Sequence, residues 1–444
     1  MSGRTLSRSA ALFGALAITI AACGSSTKSA PATTAAATTA AATTAAATTA
    51  AATTAAATTA AATTAPATTA ASADPLGVAK PADKSMAPIK VGYMWSGVSA
   101  SVDNTSDSNS ADAVTKWINE YGNGIAGGHP IELVKCAGSD AATAAACAST
   151  LLEAKVSAVL FNVIGDVEPW ATPVIAAGIP IFAFSSADAS LFKGAGKVFV
   201  LSNPTAGLGL FPAKVALDNK AKRSAVVVID VPAATGPVKG LVPPTFKALN
   251  AGDVDIVPIS PTAPDHGPAI QVELQKKPDV IHIIGNPAFC SLTIRALKDA
   301  GYKGIISMIS NCVDGPMKEQ LKGQLEGIYV SYTAGEDPKN ADYVQYKAIA
   351  AKYAPSIVPN GTPVGSYVAI EGFHRVMADF TGDFTPAAII AHIAGHAALP
   401  QPTIDGGTFK CDGKAVPGVA ISCTPSFAYS QLGADGNPTA FKAG

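Results

Sequence analysis

The sequence predicts an α/β protein with two lobes, each built on a doubly wound parallel sheet. From Ile89 onward, short apolar runs alternate with segments of helical pattern, which is typical of parallel sheets covered by helices on both faces. The alternation falls into two successive series, and residues 89–444 are too many for a single core of ordinary size. Two series over this length predict two lobes.

The first series covers residues 89–201. Its apolar runs are short, as expected for strands buried on both faces. The third helix is expected to begin near Pro169, since proline suits a first turn in which its missing N–H needs no partner, and to end at Gly178. The predicted strands are 89–94, 131–134, 158–161, 179–184 and 198–201, and the other two helices are 112–121 and 140–154.

The second series begins at Ala225 and has the same character. Its predicted strands are 225–229, 254–257, 280–284, 305–308 and 327–330. Its predicted helices are one ending near 249, one around 270, and then 288–300, 341–353, 366–380 and 387–393. Residues 407–432 have the pattern of short strands and turns.

Small polar residues follow two strands of the first series. Ile164, Gly165 and Asp166 form the loop after strand 158–161, and Ser185 and Ser186 follow strand 179–184. Ligands of open α/β sheets bind at the carboxyl edge of the strands. We therefore expect a ligand site at this edge, with the second lobe as the facing wall.

The first 22 residues have the composition of a signal peptide. Arg4 and Arg8 precede an apolar run, residues 10–20, that is too short to span a bilayer. The string Ile20-Ala21-Ala22-Cys23 resembles the lipobox of bacterial lipoproteins, which implies that Cys23 is lipidated and anchors the protein to the extracytoplasmic face of the cell membrane. The alternative is an ordinary secretory peptide cut nearby, with a free cysteine.

Residues 23–88 predict a disordered tether. Within them, residues 31–72 repeat Thr-Thr-Ala-Ala-Ala with a period of five. On a helix this period distributes the threonine pairs around the axis, so no single apolar face forms. A segment with nothing to pack against is expected to act as a spacer between membrane and lobes.

The overall charge argues against nucleic acid as a partner. The formal net charge is −1, charged residues make up 14% of the chain, and no basic patch is apparent. No second apolar run is long enough to span a membrane.

Apart from Cys23, six cysteines occur as near neighbours in sequence. They are Cys136 and Cys147, Cys290 and Cys312, and Cys411 and Cys423. Six cysteines allow many connectivities, and we favour the three local pairs because each would lie within one strand–helix or hairpin unit. The alternatives are free thiols or a zinc site, although no Cys-x-x-Cys spacing favours zinc.

The succession of elements resembles the branched-chain amino acid (leucine-binding) type of ABC-transporter solute-binding proteins, which are type I periplasmic binding proteins. The resemblance covers residues 89–444. It is carried by Ile89-Lys90-Val91-Gly92 with Ser96-Gly97, Trp117-Ile118-Asn119, Ala177-Gly178-Ile179-Pro180, Pro278-Asp279-Val280 and Ala296-Leu297-Lys298-Asp299-Ala300-Gly301.

The family fold implies two lobes joined by a three-crossover hinge. We place the crossovers near Asn203, Tyr332 and Asp405. The predicted first lobe is then 89–203 with 333–405, and the predicted second lobe is 204–332 with 406–444.

The resemblance also implies which loops bind the ligand. The corresponding positions are Trp95, Ser96, Gly165, Asp166, Ser185 and Ser186 in the first lobe, and Thr235, Asn286 and Asn311 in the second. The alternative for the hydroxyl residues is that they only cap helices.

Several positions depart from relatives that bind amino acids. The Ser310–Asn311 position is neutral where an acidic group usually meets the ligand's ammonium, and Asn286 stands where an aromatic residue is common. The loop around 233–244 is rich in proline. The resemblance therefore implies the fold of this chain, but it does not imply leucine, isoleucine or valine as the ligand. Asp166 is an alternative partner for an ammonium.

The expected function is binding without catalysis. The resemblance implies a monomeric receptor that captures a small polar solute (an amino acid, an amide or a short carboxylate) by hinge closure and delivers it to the transmembrane subunits of an ABC importer. The alternative is a ligand-sensing receptor of the same fold without a transport role. No cofactor is expected.

Two motifs are assigned no function. The string 122–127 matches GxGxxG but follows a helix and precedes a strand, the reverse of a dinucleotide site, so we interpret it as a turn. His392 and His396 have helical spacing without a zincin glutamate, and no metal is expected there. The chain also lacks a Gly-x-Ser-x-Gly elbow, and no enzyme activity is expected.

Overall fold

The computed structural model describes residues 74–98, 103–186, 188–203 and 205–444. The predicted signal peptide and residues 23–73 of the predicted tether lie outside the described residues. Residues 74–88, predicted to be part of the tether, pack on the first lobe instead: the Ala82 N–H donates to Asn119 O at 2.9 Å, and Trp117 Nε1 donates to Leu76 O at 3.0 Å. All described residues belong to one compact unit.

The first lobe is built on a five-stranded sheet. Its strands are β1 (Ile89–Trp95), β2 (Ile131–Ala137), β3 (Val159–Phe161), β4 (Ile181–Ala183) and β5 (Val198–Val200), and its first helices are α1 (Thr105–Tyr121), α2 (Ala141–Glu153), α3 (Glu168–Ala176) and α4 (Ala189–Phe192). The strand order is β2-β1-β3-β4-β5, and all neighbours are parallel. The order reverses between β1 and β3, where ligand sites of such sheets occur.

The second lobe begins after the first crossover. A π-helical turn (Ala206–Leu210) leads into α5 (Phe211–Asp218), β6 (Arg223–Ile229), α6 (Pro232–Leu249), β7 (Asp253–Ile259), α7 (Gly267–Leu274), β8 (Val280–Ile284), α8 (Pro287–Asp299), β9 (Ile305–Ile309), a 3₁₀ turn (Ser310–Cys312), α9 (Gly315–Gln320) and β10 (Tyr329–Tyr332). The chain continues with α10 (Ala341–Tyr353), α11 (Thr362–Met377), α12 (Pro386–Gly395), β11 (Leu399–Pro400), β12 (Thr408–Phe409), β13 (Ala428–Gln431) and β14 (Lys442–Ala443).

The second sheet has the order β14-β13-β10-β9-β8-β6-β7. Strands β6 to β10 are parallel and repeat the order of the first sheet. β13 and β14 add to the β10 edge in antiparallel orientation, so this sheet is mixed. The predicted fold class of two doubly wound lobes is confirmed.

Each sheet is buried on both faces, as the short apolar strands predicted. In the first sheet, Tyr93 and Leu160 belong to one core cluster, while Met94 and Phe161, their neighbours in sequence, belong to the cluster on the opposite face. α10, α11 and α12 add to the first of these clusters.

The segment 407–423, predicted to belong to the second lobe, packs on the first instead. Val416 and Ile421 lie in the core cluster on one face of the first sheet, and the Val200 N–H donates to Ile421 O at 2.7 Å. The predicted boundary near Asp405 is therefore about twenty residues too early, because residues 421–423 pair with the β5 edge of the first sheet and apolar side chains of this segment join the cores on both faces of that sheet. The chain returns to the second lobe between Thr424 and β13.

The proline-rich segment 233–244, interpreted above as a loop, lies in the helix α6. Pro237, Pro243 and Pro244 are inside the helix and exposed to solvent. The opposite face packs Val238, Val242 and Phe246 against β6. Tertiary packing of this apolar face outweighs the poor helix propensity of proline.

The three local disulfides are confirmed. Cys136 pairs with Cys147, Cys290 with Cys312, and Cys411 with Cys423. Cys290–Cys312 joins the first turn of α8 to the turn after β9, next to the carboxyl edge of the second sheet.

Candidate ligand cleft

A cleft of about 840 Å³ is lined by both lobes and by the second crossover. The volume is in the range of sites for small molecules. Its first-lobe wall includes Ser96 after β1, residues 162–165 after β3, and Phe184 after β4. Its second-lobe wall includes Ser310 and Asn311 after β9 and Tyr332 at the end of β10. Both carboxyl edges therefore contribute to one cavity.

Asn162 connects the cleft to a buried polar network. Its Nδ2 donates to Thr362 O at 2.6 Å and to Asp107 Oδ1 at 3.3 Å, while its Oδ1 is buried without a hydrogen-bond partner. Asp107 also accepts from Tyr93 Oη at 2.6 Å and from the hydroxyl of Ser366. This network joins β1, α1, β3 and α11 directly behind the first-lobe wall.

Burial raises the pKa of Asp107, and the hydrogen bonds from Ser366, Tyr93 and Asn162 act in the opposite direction. The residue is 1% exposed. Buried carboxylates are tolerated when donors satisfy them. We interpret Asp107 as a group that fixes the cleft wall, because protein side chains occupy its acceptor sites.

Two charged side chains line the cleft, and both lie on the side of the second lobe and crossover. Lys318 lies in α9, and Glu336 follows β10. Glu336 Oε1 accepts the Gly361 N–H at 2.7 Å. Burial raises the pKa of Glu336, while the Gly361 N–H and the positive charge of Lys318 partly offset the rise.

The cleft brings together three of the predicted ligand residues, Ser96, Gly165 and Asn311. Asp166, next to Gly165, is exposed, has a φ of 26°, and is not among the lining residues. Trp95 precedes Ser96 and packs partly against the first-lobe core.

The remaining predicted residues make local contacts. The Ser185 N–H donates to Asn162 O at 3.2 Å, and Ser186 Oγ accepts the Asp188 N–H at 3.2 Å. These serines adjoin the lining residue Phe184.

Thr235 and Asn286 make hydrogen bonds to backbone groups at the starts of their own helices. Thr235 Oγ1 donates to Val231 O at 3.0 Å, and Asn286 Oδ1 caps α8 by accepting the Phe289 N–H at 2.9 Å. Neither residue lines the cleft.

Sequence reasoning missed Asn162, Lys318 and Glu336. Asn162 could have been found, because it is the first polar residue after the buried run of β3. Lys318 and Glu336 gave no such signal: one lies in a short helix and the other in a crossover, and only the tertiary fold brings them to the cleft.

The motifs that received no function have structural contacts. The string 122–127 forms the turn between α1 and β2, in which Gly124 adopts a φ of 60°. His392 Nε2 donates to Val376 O at 2.8 Å, and His396 Nε2 accepts the Cys411 N–H at 3.4 Å.

The described residues contain no group of three or more His, Cys, Asp or Glu side chains that could hold a metal ion. Within the same part of the chain, no helix is both long and apolar enough to cross a membrane.

Two lobes of equal strand order around a shared polar cleft define a bilobed α/β binding protein. A family model described as a periplasmic binding protein matches residues 88–422 of the 444. The chain belongs to this family.

Solved structures agree with this assignment at the level of the fold. A branched-chain amino acid transporter substrate-binding protein from Streptococcus pneumoniae, in complex with isoleucine, has a TM-score of 0.59 and 18% identity, covering 80% of this chain and 99% of its own. An ABC transporter substrate-binding protein from Sphaerobacter thermophilus has a TM-score of 0.64 and 13% identity, covering 80% and 96%.

A third structure has a different ligand. It is a solute-binding protein of an ABC transporter from R. palustris in complex with 4-hydroxybenzoate, with a TM-score of 0.58 and 19% identity, covering 78% of this chain and 93% of its own. A search of curated protein sequences found no match.

Proposed function

We propose that this protein is an extracytoplasmic receptor that captures a small polar solute between its two lobes and delivers it to an ABC importer. The observation that carries the proposal is the single cleft lined by the carboxyl edges of both sheets and by the second crossover. A solute bound there contacts both lobes, so its binding energy favours the state in which they close around it.

The fold relatives support the same role. Those of Streptococcus pneumoniae and R. palustris hold isoleucine and 4-hydroxybenzoate, respectively. Their ligands differ in chemistry, so the fold alone does not specify the solute, and the residues of this cleft must do so.

A thermal-shift screen of amino acids, amides, short carboxylates and sugars tests the proposal. A ligand at about 100 times its dissociation constant adds roughly 2.7 kcal/mol to the free energy of unfolding. The cleft-blocking variant is Gly165→Trp, because Gly165 lines the cleft and has no atom within 4 Å of an added Cβ. The matched control is Gly240→Trp on the exposed face of α6, where an added Cβ also has free space.

The wild type and Gly240→Trp should be stabilised by the same compound, and Gly165→Trp should not respond. Equal stabilisation of all three proteins would place the binding site elsewhere.

We further propose that Cys23 carries the lipid anchor, that residues 23–73 act as the tether, and that the importer's transmembrane subunits are the protein partner. The lipobox-like string Ile20-Ala21-Ala22-Cys23 supports the anchor. Replacing Cys23 with serine should move the protein from the membrane fraction to the soluble fraction. Retention of Cys23→Ser in the membrane fraction would contradict the anchor.

A further inference from the structure

Lys318 is a cation without a directly paired anion in the cleft. It lies in the last turn of α9, and its side chain is partly buried. Its Nζ donates to Asn437 Oδ1 at 2.8 Å, a neutral partner. Among the ion pairs of the described residues, none includes Lys318.

Two carboxyl groups act on Lys318 without forming a salt bridge. These are Glu336 in the cleft and the exposed Asp435 near Asn437. Glu336 already accepts the Gly361 N–H, and Asp435 accepts from Asn437. The ammonium group therefore lacks an anion in direct contact.

The facing wall offers no counterion either. Apart from Glu336 at the second crossover, the lining residues on the side of the first lobe are neutral, and they include the polar Ser96 and the apolar Phe184 and Val163. If the lobes close, Lys318 loses water, and an ammonium that is desolvated without an anion is costly. A carboxylate on the ligand would supply that negative charge in direct contact with the ammonium group.

Neutral donors line the second-lobe side of the same cleft. Ser310 and Asn311 line it, and so does Tyr332. Burial, and then the nearby Glu336, raise the pKa of Tyr332, so its phenol stays protonated and able to donate. A cation that shares a cleft wall with hydroxyl and amide donors suits the oxygen atoms of a carboxylate.

We propose that Lys318 binds the carboxylate of the solute and that the second lobe is the anion-binding lobe. The inference rests on the proposed function, since it names the ligand's chemistry at the same cleft. It places the ligand's acid group on the wall that faces the serine loops of the first lobe. The apolar part of the solute then faces Phe184 and Val163.

Matched acids and amides test this proposal. The probes are 4-methylpentanoate with 4-methylpentanamide, and 3-phenylpropanoate with 3-phenylpropanamide, titrated into the full-length protein by calorimetry. Each pair shares a carbon skeleton and differs in charge. Leucine and phenylalanine form additional arms that show whether an α-ammonium is accepted together with the carboxylate.

The acid of at least one pair should bind roughly tenfold to a hundredfold more tightly than its amide, the scale of a charge-assisted hydrogen bond. Lys318→Met should reduce this preference to within about threefold, because it weakens binding of the acid and leaves the affinity for the amide unchanged. Unchanged amide affinity also shows that the variant is folded.

Three controls separate charge from structure. Lys318→Arg keeps the charge and should keep the preference. Asn437→Ala removes the hydrogen bond to Lys318 Nζ but leaves the ammonium group in place, so the preference for the acid should also remain. Lys322→Met removes an exposed lysine outside the cleft and should have no effect.

Equal binding of acid and amide by the wild type would overturn the assignment of Lys318 and leave the proposed function intact. A preference for the acid that persists in Lys318→Met would also overturn the assignment of Lys318. Failure of all these probes, together with every compound of the thermal-shift screen, to bind the wild type would count against both proposals.

Discussion

Replacing Gly365 with alanine is predicted to disrupt the first-lobe wall of the cleft. Gly365 lies in the first turns of α11, and a Cβ there would overlap Asn162 Oδ1 and lie 2.5 Å from Phe184 Cδ1. Asn162 is fully buried and held by its hydrogen bonds to Thr362 and Asp107. Neither neighbour can move without loss of contacts.

The expected cost follows from three contributions. Overpacking costs about 1–3 kcal/mol, and weakening two buried hydrogen bonds costs about 1 kcal/mol each. The better helix propensity of alanine returns about 1 kcal/mol. Gly365→Ala should therefore lower the free energy of unfolding by roughly 2–4 kcal/mol, and it should weaken ligand binding because Asn162 and Phe184 line the cleft.

Equilibrium unfolding in urea, with the disulfides intact, measures the change. The matched control is Gly240→Ala in α6, where an added Cβ has no atom within 4 Å and should raise the free energy of unfolding by about 0.5–1 kcal/mol. In the double variant Gly365→Ala with Asn162→Ala, the combined loss should be at least about 1 kcal/mol smaller than the sum of the single losses. Additive losses, or a neutral Gly365→Ala, would refute the reasoning.

Two further predictions concern a disulfide and the serine loop. Replacing both Cys411 and Cys423 with serine should lower the free energy of unfolding by about 3 kcal/mol in the chain-entropy model, because the disulfide joins residues with a sequence separation of 12. An unchanged midpoint of urea unfolding would contradict this. In calorimetry with a bound acid, Ser185→Ala combined with Ser186→Ala should weaken binding less than Lys318→Met does, and so should Asp166→Asn, since none of these three residues lines the cleft. A loss of about 1.5–3 kcal/mol for Asp166→Asn would instead indicate an ammonium at that loop.

The sequence was most informative where structure is decided locally. The predicted bounds of α10 and of β8 coincide with those observed, because clear helical and apolar patterns end at turn residues. The disulfides followed from short separations within one supersecondary unit. The edge position of Ser96 and Gly165 followed from the rule that parallel strands carry ligand loops at their carboxyl ends.

The predictions were wrong where contacts between residues far apart in sequence determine the structure. The packing of segment 407–423 depends on the free β5 edge of the first sheet, which local patterns do not reveal. The helix α6 forms through three prolines because its opposite face is buried against β6. Lys318 and Glu336 reach the cleft only through the tertiary fold, so no local motif identified them.

Hydrogen exchange of the full-length protein tests most directly whether the solute is held between the lobes. Exchange is compared by mass spectrometry with and without the tightest-binding carboxylate. The account predicts simultaneous protection of residues 162–165 in the first lobe and of residues 310–313 and 332–336 in the second lobe and crossover, which line the same cleft. Saturating binding that protects only one lobe, or a surface away from these segments, would contradict capture between the two lobes.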